Sequence, residues 1–400
     1  MKQLISSFLF IPFCLLLQAQ EISDTKFGNG MINFIAKDSS FSVKFAPRIQ
    51  SRYQSKWSYD GEDYDPADIN FSVRRARLKF GGFAFSPKLK YKIELGLSNR
   101  DISGANVYNR NTPRYILDAV VMWNFYENFE LWAGQTKLPG NIERVVSSAN
   151  LQLIDRSLLN SKFNIDRDMG IHLRHKLRLG GNWIIKEKFS ISQGEGRNIT
   201  EGNIGGLQYT SRLELLPFGE FSSKGDYFQG DLKREKSIKA MFGFTYDINE
   251  NAVKSRSNMG SYLIQSSGGL FETDITTIFL DGVIKYNGFA LTGEYANRDA
   301  DQIEALEEDG KTKTGAVVGA GSASNIQGSY LFKNNFEITA RYTNINFKKI
   351  TRLSDLKQIT FGVSKYIVGH SLKIQADISL LNASGIKDNV LFRTGFDLHF

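Results

Sequence analysis

Cysteine is almost absent from this chain: there is one, Cys14, and none in the 386 residues after it. A disulfide framework and a thiolate metal site are therefore excluded. Histidine is scarce too. Of His172, His175, His370 and His399, the first two sit three apart, and on a strand that spacing points them to opposite faces, so they do not chelate together. Only 7 prolines interrupt 400 residues. A bundle of membrane-crossing helices is excluded by the lack of long apolar runs and by a mean hydropathy of -0.29.

What is abundant is glycine (36), phenylalanine (30) and tyrosine (16), the inventory of a β-rich chain with many turns and aromatic girdles. The net charge of +8 is modest for this length, so its placement matters more than its sum. Residues 1–20 read as a secretory signal peptide, with Lys2, an apolar run Phe8 to Leu17 and a small residue at Ala19. Cys14 is expected to leave with it. The expected division is a cleaved signal over 1–20 and one exported domain over 21–400.

The organising signal is a rhythm of two. Phe41, Val43 and Phe45 alternate with polar residues through Lys44, Arg48 and Arg52; Ala76-Leu78-Phe80 alternate with Arg75-Arg77-Lys79; Tyr91-Ile93-Leu95 alternate with Lys90, Lys92 and Glu94. The pattern recurs along the chain, for example in Ile359-Phe361-Val363 and Val390-Phe392 onward to Phe400, and predicts about sixteen strands. Short and long connections alternate. Short ones fall at Ser86-Pro87, Tyr126 to Asn128, Arg178 to Gly181, Asn287-Gly288, Lys333 to Asn335 and Ile367 to Ser371. Long ones cover 54–70, 99–114, 138–166, 193–205, 248–274, 298–324, 345–356 and 382–389.

Such parity is that of a transmembrane barrel with tight periplasmic turns and long outer loops. The segment 218–236 breaks it, being long where a periplasmic turn is expected. The fold class expected is thus all-β, a transmembrane antiparallel β-barrel of about sixteen strands, because only a closed sheet pairs every backbone group in hydrocarbon without an edge. Export and fold together place it in the outer membrane of a Gram-negative cell, in contact with lipid. A lumen of this size is too wide for side chains to fill.

Phase puts Lys44, Arg48, Arg52, Arg75, Arg77, Lys79, Lys90 and Lys92 on the polar faces of three adjacent strands, and Arg174 and Lys176 on a later one. These are the candidate pore-lining, anion-binding residues, since charged walls select ions and arginine suits bidentate oxyanions. Later strands turn Glu214, Asp281, Glu294, Glu337, Asp377 and Asp397 inward. An opposed acidic wall of that kind would set up a transverse field and weaken anion preference.

Several blocks resemble the phosphate-selective porins O and P in their Bacteroidetes form. They are Asp38-Ser39-Ser40-Phe41-Ser42, Arg74-Arg75-Ala76-Arg77-Leu78-Lys79-Phe80 with Gly82, and Gly134-Gln135-Thr136-Lys137-Leu138-Pro139. Asp155-Arg156-Ser157, Asp166-Arg167-Asp168-Met169-Gly170 and Gly194-Glu195-Gly196-Arg197-Asn198 complete the set, in order over the first half of the chain. The resemblance implies a sixteen-stranded, usually trimeric barrel whose third outer loop folds inward and whose constriction carries basic residues. Here that loop is 138–166, with Lys137, Arg144 and Arg156 as its candidate constriction cations. The family's ladder of regularly spaced arginines has no clear equivalent run in this sequence.

Membership would make the chain a passive channel for small hydrophilic solutes, with anions such as phosphate preferred, and Phe400 a signal to the barrel assembly machinery. The alternative is a barrel that binds or adheres through its outer loops. No cofactor, metal, catalytic set or nucleic-acid partner is expected: the acidic stretches Asp60 to Asp68 and Asp299 to Asp309 lack a cation-loop spacing, and the basic charge is dispersed along strands.

Overall fold

The structure is a computed structural model describing residues 26–59, 61–102, 104–199, 204–383 and 386–400. The expected signal peptide, with Lys2, Cys14 and Ala19, lies outside the described residues, as do Asp60, part of the 193–205 loop and residues 384–385.

Sixteen antiparallel strands close on themselves. The first eight are β1 (Arg48–Tyr59), β2 (Asp68–Ala84), β3 (Ser86–Gly96), β4 (Ile116–Tyr126), β5 (Phe129–Lys137), β6 (Arg167–Arg178), β7 (Ile184–Ser192) and β8 (Gln208–Leu216). The rest are β9 (Lys239–Ala252), β10 (Thr273–Tyr286), β11 (Phe289–Ala300), β12 (Gly321–Leu331), β13 (Phe336–Phe347), β14 (Leu356–Val368), β15 (Leu372–Ala383) and β16 (Ile386–His399). Each pairs with the next, and β16 returns to β1 through a register that sets Phe396 opposite Ser51 and Leu398 opposite Ile49. Closure leaves no open edge along the barrel wall.

Alternation is the reason these segments are strands. In β14, Ile359, Phe361 and Val363 are exposed on the outer face while Gln358, Thr360 and Ser364 are buried inside. Apolar side chains thus meet hydrocarbon and polar ones meet each other in the interior. His175 is on the outer side, stacked on Phe129 at 4.0 Å and bonded to Glu187, whereas His172 is inside.

Three details differ from the sequence reading. The first strand does not run unbroken from Phe41. A hairpin, Ile32–Ile35 with Ser42–Phe45, pairs with the end of β2, where Phe45 faces Phe80, while Ala46 and Pro47 interrupt the strand before Arg48. Pro47 has no N–H to give to a ladder, so the break falls there, and Lys44 sits opposite Gly81 on the short strand that continues the sheet alongside β2. The connection expected at 382–389 shrinks to two residues, since Ala383 and Ile386 are already paired. The outer loop between β11 and β12 carries its own small hairpin, Glu304–Leu306 with Lys313–Val317.

The C-terminus closes the lower rim. The Phe400 N–H donates to the Pro47 carbonyl at 3.1 Å and its ring meets Phe27 edge-on at 5.5 Å.

Strand approach is tightest at glycines. At Gly134, φ is +127° and an added Cβ would lie 2.2 Å from the Ala119 carbonyl oxygen of β4. Gly134→Ala is expected to cost about 1–3 kcal/mol through backbone strain alone, read as a lower temperature for loss of the heat-modifiable folded band on gels. An unchanged temperature would contradict the close β4–β5 approach.

Candidate functional site

Residues Leu138 to Asp166, the third outer loop (L3), cross the barrel interior, and every stage of the crossing is pinned by wall residues. A one-turn helix at Ile142–Val145 begins against two carboxylates. The Ile142 N–H donates to Asp281 (3.1 Å), the Glu143 N–H to Glu294 (2.7 Å) and the Asn141 side-chain amide to Glu294 (2.8 Å). Its last carbonyls receive Lys137 Nζ: Arg144 at 2.8 Å, Val145 at 3.3 Å and Val146 at 3.2 Å. Both sets of groups that a helix leaves unpaired are thereby met by charge of the favourable sign.

Further along, Arg48 holds Ser148 while forming a fork with Asp397. Lys373 Nζ donates to the Ala149 and Leu151 carbonyls at 2.9 and 2.6 Å. Gln152 donates to Glu337, and the Ile154 N–H to Asp377. The Glu143 carboxylate then receives the Ser157 N–H at 2.9 Å, and Ser157 caps the helix Leu158–Phe163 by accepting from the Asn160 N–H. Leu138, Leu159, Phe163 and Ile165 pack against Phe279, Ala296, Ala323 and Ile345 of the inner wall.

This docking corrects the expectation of an acidic wall facing water. Asp281, Glu294, Glu337 and Asp377 bond to L3, Asp397 is bound by Arg48, and Glu214 is bound by Arg212 and Lys188. All six are buried, the most exposed being Asp281 at 7%. Asp281, Asp377, Asp397 and Glu214 are each ion-paired with a cation, and Glu294 and Glu337 accept from neutral donors.

The basic side is arranged differently. In β2 the register slips between Gln50/Ser51 and Arg75/Val73, leaving Arg74 as an extra residue. A bulge of this kind re-aims a side chain, so Arg74 and Arg75 both turn inward, 8% and 4% exposed. Strict alternation assigns Arg74 to the lipid face. The missed signal is in the sequence: the apolar stripe runs through odd positions at Phe71 and Val73 and even ones at Ala76 and Leu78, a slip that one inserted residue explains.

One L3 carboxylate, Asp155, faces four guanidinium groups: Arg74 at 2.7 Å, Arg52 at 2.8 Å, Arg393 at 3.4 Å and Arg75 at 3.6 Å. Burial pushes the Asp155 carboxyl up, but Arg74, Arg393, Arg75 and Arg52 together hold it well below the usual carboxylate range. Arg77 bridges Glu94 (2.9 Å) and Asp101 (3.0 Å). Asp118 is shared by Lys92 (2.6 Å) and Arg167 (2.9 Å). Lys79 lies near this group with no salt bridge among the described residues.

The remaining candidates are distributed unevenly. Arg48 and Lys137 act as anchors of L3, fully engaged as described above. Arg144 pairs with Asp166, and Arg156 donates to the carbonyls of Glu143 and Val146, both at 2.7 Å. Arg174 stacks over Trp132 at 3.5 Å. Lys176 is taken up by Glu220 at the periplasmic rim, and Lys90 is exposed near the lower end of the β2–β3 hairpin.

Above L3 opens a vestibule of 1170 Å³. Its lining includes twelve arginines and two lysines against four carboxylates, so the cavity is strongly positive. Arg74, Arg75 and Arg77 come from β2, Arg167 from β6, Arg393 from β16 and Arg197 from the loop after β7. A ladder of spaced arginines is absent from the sequence because the cluster is assembled across strands. The glycine-rich block 194–198 braces the vestibule: the Gly194 N–H (φ +100°) donates to Asp168, and Arg197 to the carbonyls of Arg114 and Asp101.

Asp155→Asn removes the carboxylate from between four cations while keeping its shape. We expect stronger block of channel current by phosphate and a reversal potential shifted further toward chloride; an unchanged or cation-ward shift would contradict the placement of Asp155 among the arginines.

Comparison with known proteins follows the fold. A family model described as phosphate-selective porin O and P matches residues 47–379. An uncharacterized protein of Aquifex aeolicus is 26% identical over 358 residues, covering 83% of this chain and 80% of its own. Among solved structures, the outer membrane channel DcaP of Acinetobacter baumannii aligns with a TM-score of 0.55 at 12% identity, over 92% of this chain and 99% of its own. The anion-selective porin from Comamonas acidovorans aligns with a TM-score of 0.53 at 13% identity, over 90% and 100%. OmpT of Vibrio cholerae, also solved in a trimer form, aligns with a TM-score of 0.51 at 13% identity, over 90% and 100%.

Proposed function

The chain belongs to the phosphate-selective porin O and P family, an outer-membrane channel, and from that premise we propose that it passes small hydrophilic solutes passively with a preference for anions, phosphate among them. The observation that carries this reading is the asymmetry of the interior. Of six carboxylates that would oppose the basic wall, Asp281, Asp397 and Glu214 are paired with buried cations and Glu294 and Glu337 accept from L3. Asp377 pairs with Arg393 of the vestibule, which still keeps twelve arginines and two lysines against four carboxylates.

Magnitudes favour a real effect on ions. Neighbouring strands place charges about 5 Å apart, inside a Debye length of roughly 8 Å at physiological salt. Their fields therefore add before salt screens them. Arg144 and Arg156 on L3 and Arg75 and Arg77 on the wall line the vestibule together, and the reading takes the solute between them. Guanidinium groups give such a passage donors suited to oxyanions, and weak, multiple sites are what conduction requires.

Assembly as a homotrimer in the outer membrane is part of the same reading, supported by the family and by the trimer form recorded for the Vibrio cholerae structure. Phe400, placed at the end of the closing strand, is proposed as the contact for barrel assembly.

The test is a reversal potential across a potassium chloride gradient in planar bilayers, followed by phosphate block. The parent channel should prefer chloride. Arg77→Ala should move the potential toward potassium by more than Lys79→Ala, because it also takes from Asp101 the guanidinium it pairs with and leaves Glu94 to Lys92 and Arg167. A cation-preferring parent indifferent to Arg75→Ala and Arg77→Ala would end the anion reading.

A further inference from the structure

Residues 217–238, joining β8 to β9 on the periplasmic side, do not hang below the barrel. They rise into it. Phe221, 3% exposed, packs with Ile142, Val146 and Leu151 of L3 and with Ile184, Leu216, Met241 and Val283 of the wall. Lys285 Nζ holds three carbonyls of the segment, Gly225 at 2.7 Å, Phe228 at 2.7 Å and Gly230 at 2.6 Å. Gln229 joins it to L3 from below, its N–H donating to the Asn150 carbonyl at 2.9 Å and its side-chain oxygen accepting the Gln152 N–H at 3.0 Å.

The far end is fastened to periplasmic turns across the barrel. Asp231 accepts the Gly288 N–H at 2.7 Å, the Glu235 carbonyl accepts the Asn287 N–H at 2.9 Å, and Arg234 donates to the Phe332 carbonyl at 2.7 Å. His370, before β15, bonds to the Gln229 carbonyl at 2.9 Å. The segment therefore fills the lower interior along β8 to β15. Through Asp226 and Tyr227 it also engages Lys186 and Lys188 of β7, two cations that would otherwise face the lumen.

We propose that this periplasmic segment is the lower half of the pore's constriction: it fixes L3 from beneath, closes the β8–β15 half of the lumen and so sets the size limit and the route of permeation. The loop and the segment share one apolar core and three hydrogen bonds through Asn150, Gln152, Tyr227 and Gln229, so the segment supports from beneath a loop that the wall already holds from the sides. A periplasmic turn needs only a few residues, as Asn287-Gly288 achieves between β10 and β11. The buried Asp226, Gln229, Asp231 and Glu235, none more than 6% exposed, are each bonded in place, which is what a permanent stopper requires and a surface excursion does not.

The inference rests on the chain being a channel, and the experiment separates the two. The full chain is compared in planar bilayers and in liposome swelling with a variant in which residues 219–236 are replaced by a Gly-Ser turn, and with Lys285→Met, which keeps the length and removes three bonds. Heat-modifiable migration on gels selects the folded barrels. We expect single-channel conductance to rise roughly twofold or more on deletion, trisaccharides to enter where the parent admits only smaller sugars, and Lys285→Met to show larger open-channel current fluctuations. Folded variants with the parent's conductance, noise and sugar limit would overturn the proposal and leave the channel reading standing. If neither the parent nor the deletion variant conducts, both fall.

Discussion

A loop that leaves the rim of a barrel and crosses its interior takes its peptide groups with it, and each one left unpaired inside costs free energy. Everything distinctive about this barrel follows from how that cost is met. L3 is not merely long; its N–H groups are aimed at Asp281, Glu294 and Asp377, and its carbonyls at Lys137, Arg48 and Lys373. The inner wall is a template of charges matched to one path of backbone.

That matching has an electrostatic by-product. Asp281, Asp397 and Glu214 are each paired with a buried cation beside them, Arg212, Arg48 and Lys188, and of the vestibule arginines Arg393 alone is met by one of these inner-wall carboxylates, Asp377. The arginines themselves are gathered by geometry that single strands do not have: a bulge adds Arg74 to Arg75, and β6, β16 and the loop after β7 bring Arg167, Arg393 and Arg197 to the same cavity. Asp155, carried in on L3, tempers the cluster without neutralising it. Under the proposed anion preference, architecture and charge selection are one problem met by one set of residues.

Much of the barrel was legible from the chain alone, for a definite physical reason. A wall with lipid outside and water or polar packing inside imposes period two on every strand, so Ile359-Phe361-Val363 and Ala76-Leu78-Phe80 declare both their conformation and their outward face. What resisted reading is equally specific. Arg74 was hidden because one bulge resets the phase. The carboxylates of β10, β11 and β15 looked like lining because their partners are backbone N–H groups, which have no letter in the sequence. Residues 218–236 were visibly too long for a turn, yet length does not say whether a segment hangs down or climbs inside. The strand Ile32–Ile35 and the short link after Ala383 went unread because four residues and a pair of extended strand ends carry too little periodicity.

The central claim is that anions meet arginine on the β2–β6 side while the opposite side is sealed by docked backbone. Its most direct test is anomalous scattering from crystals of the protein soaked in bromide. Bromide peaks should line the vestibule and the gap between Arg156 and Arg77, with none along the inner faces of β10 to β15. Peaks beside Asp281, Glu294 or Asp377, or an L3 found away from those residues, would contradict the account.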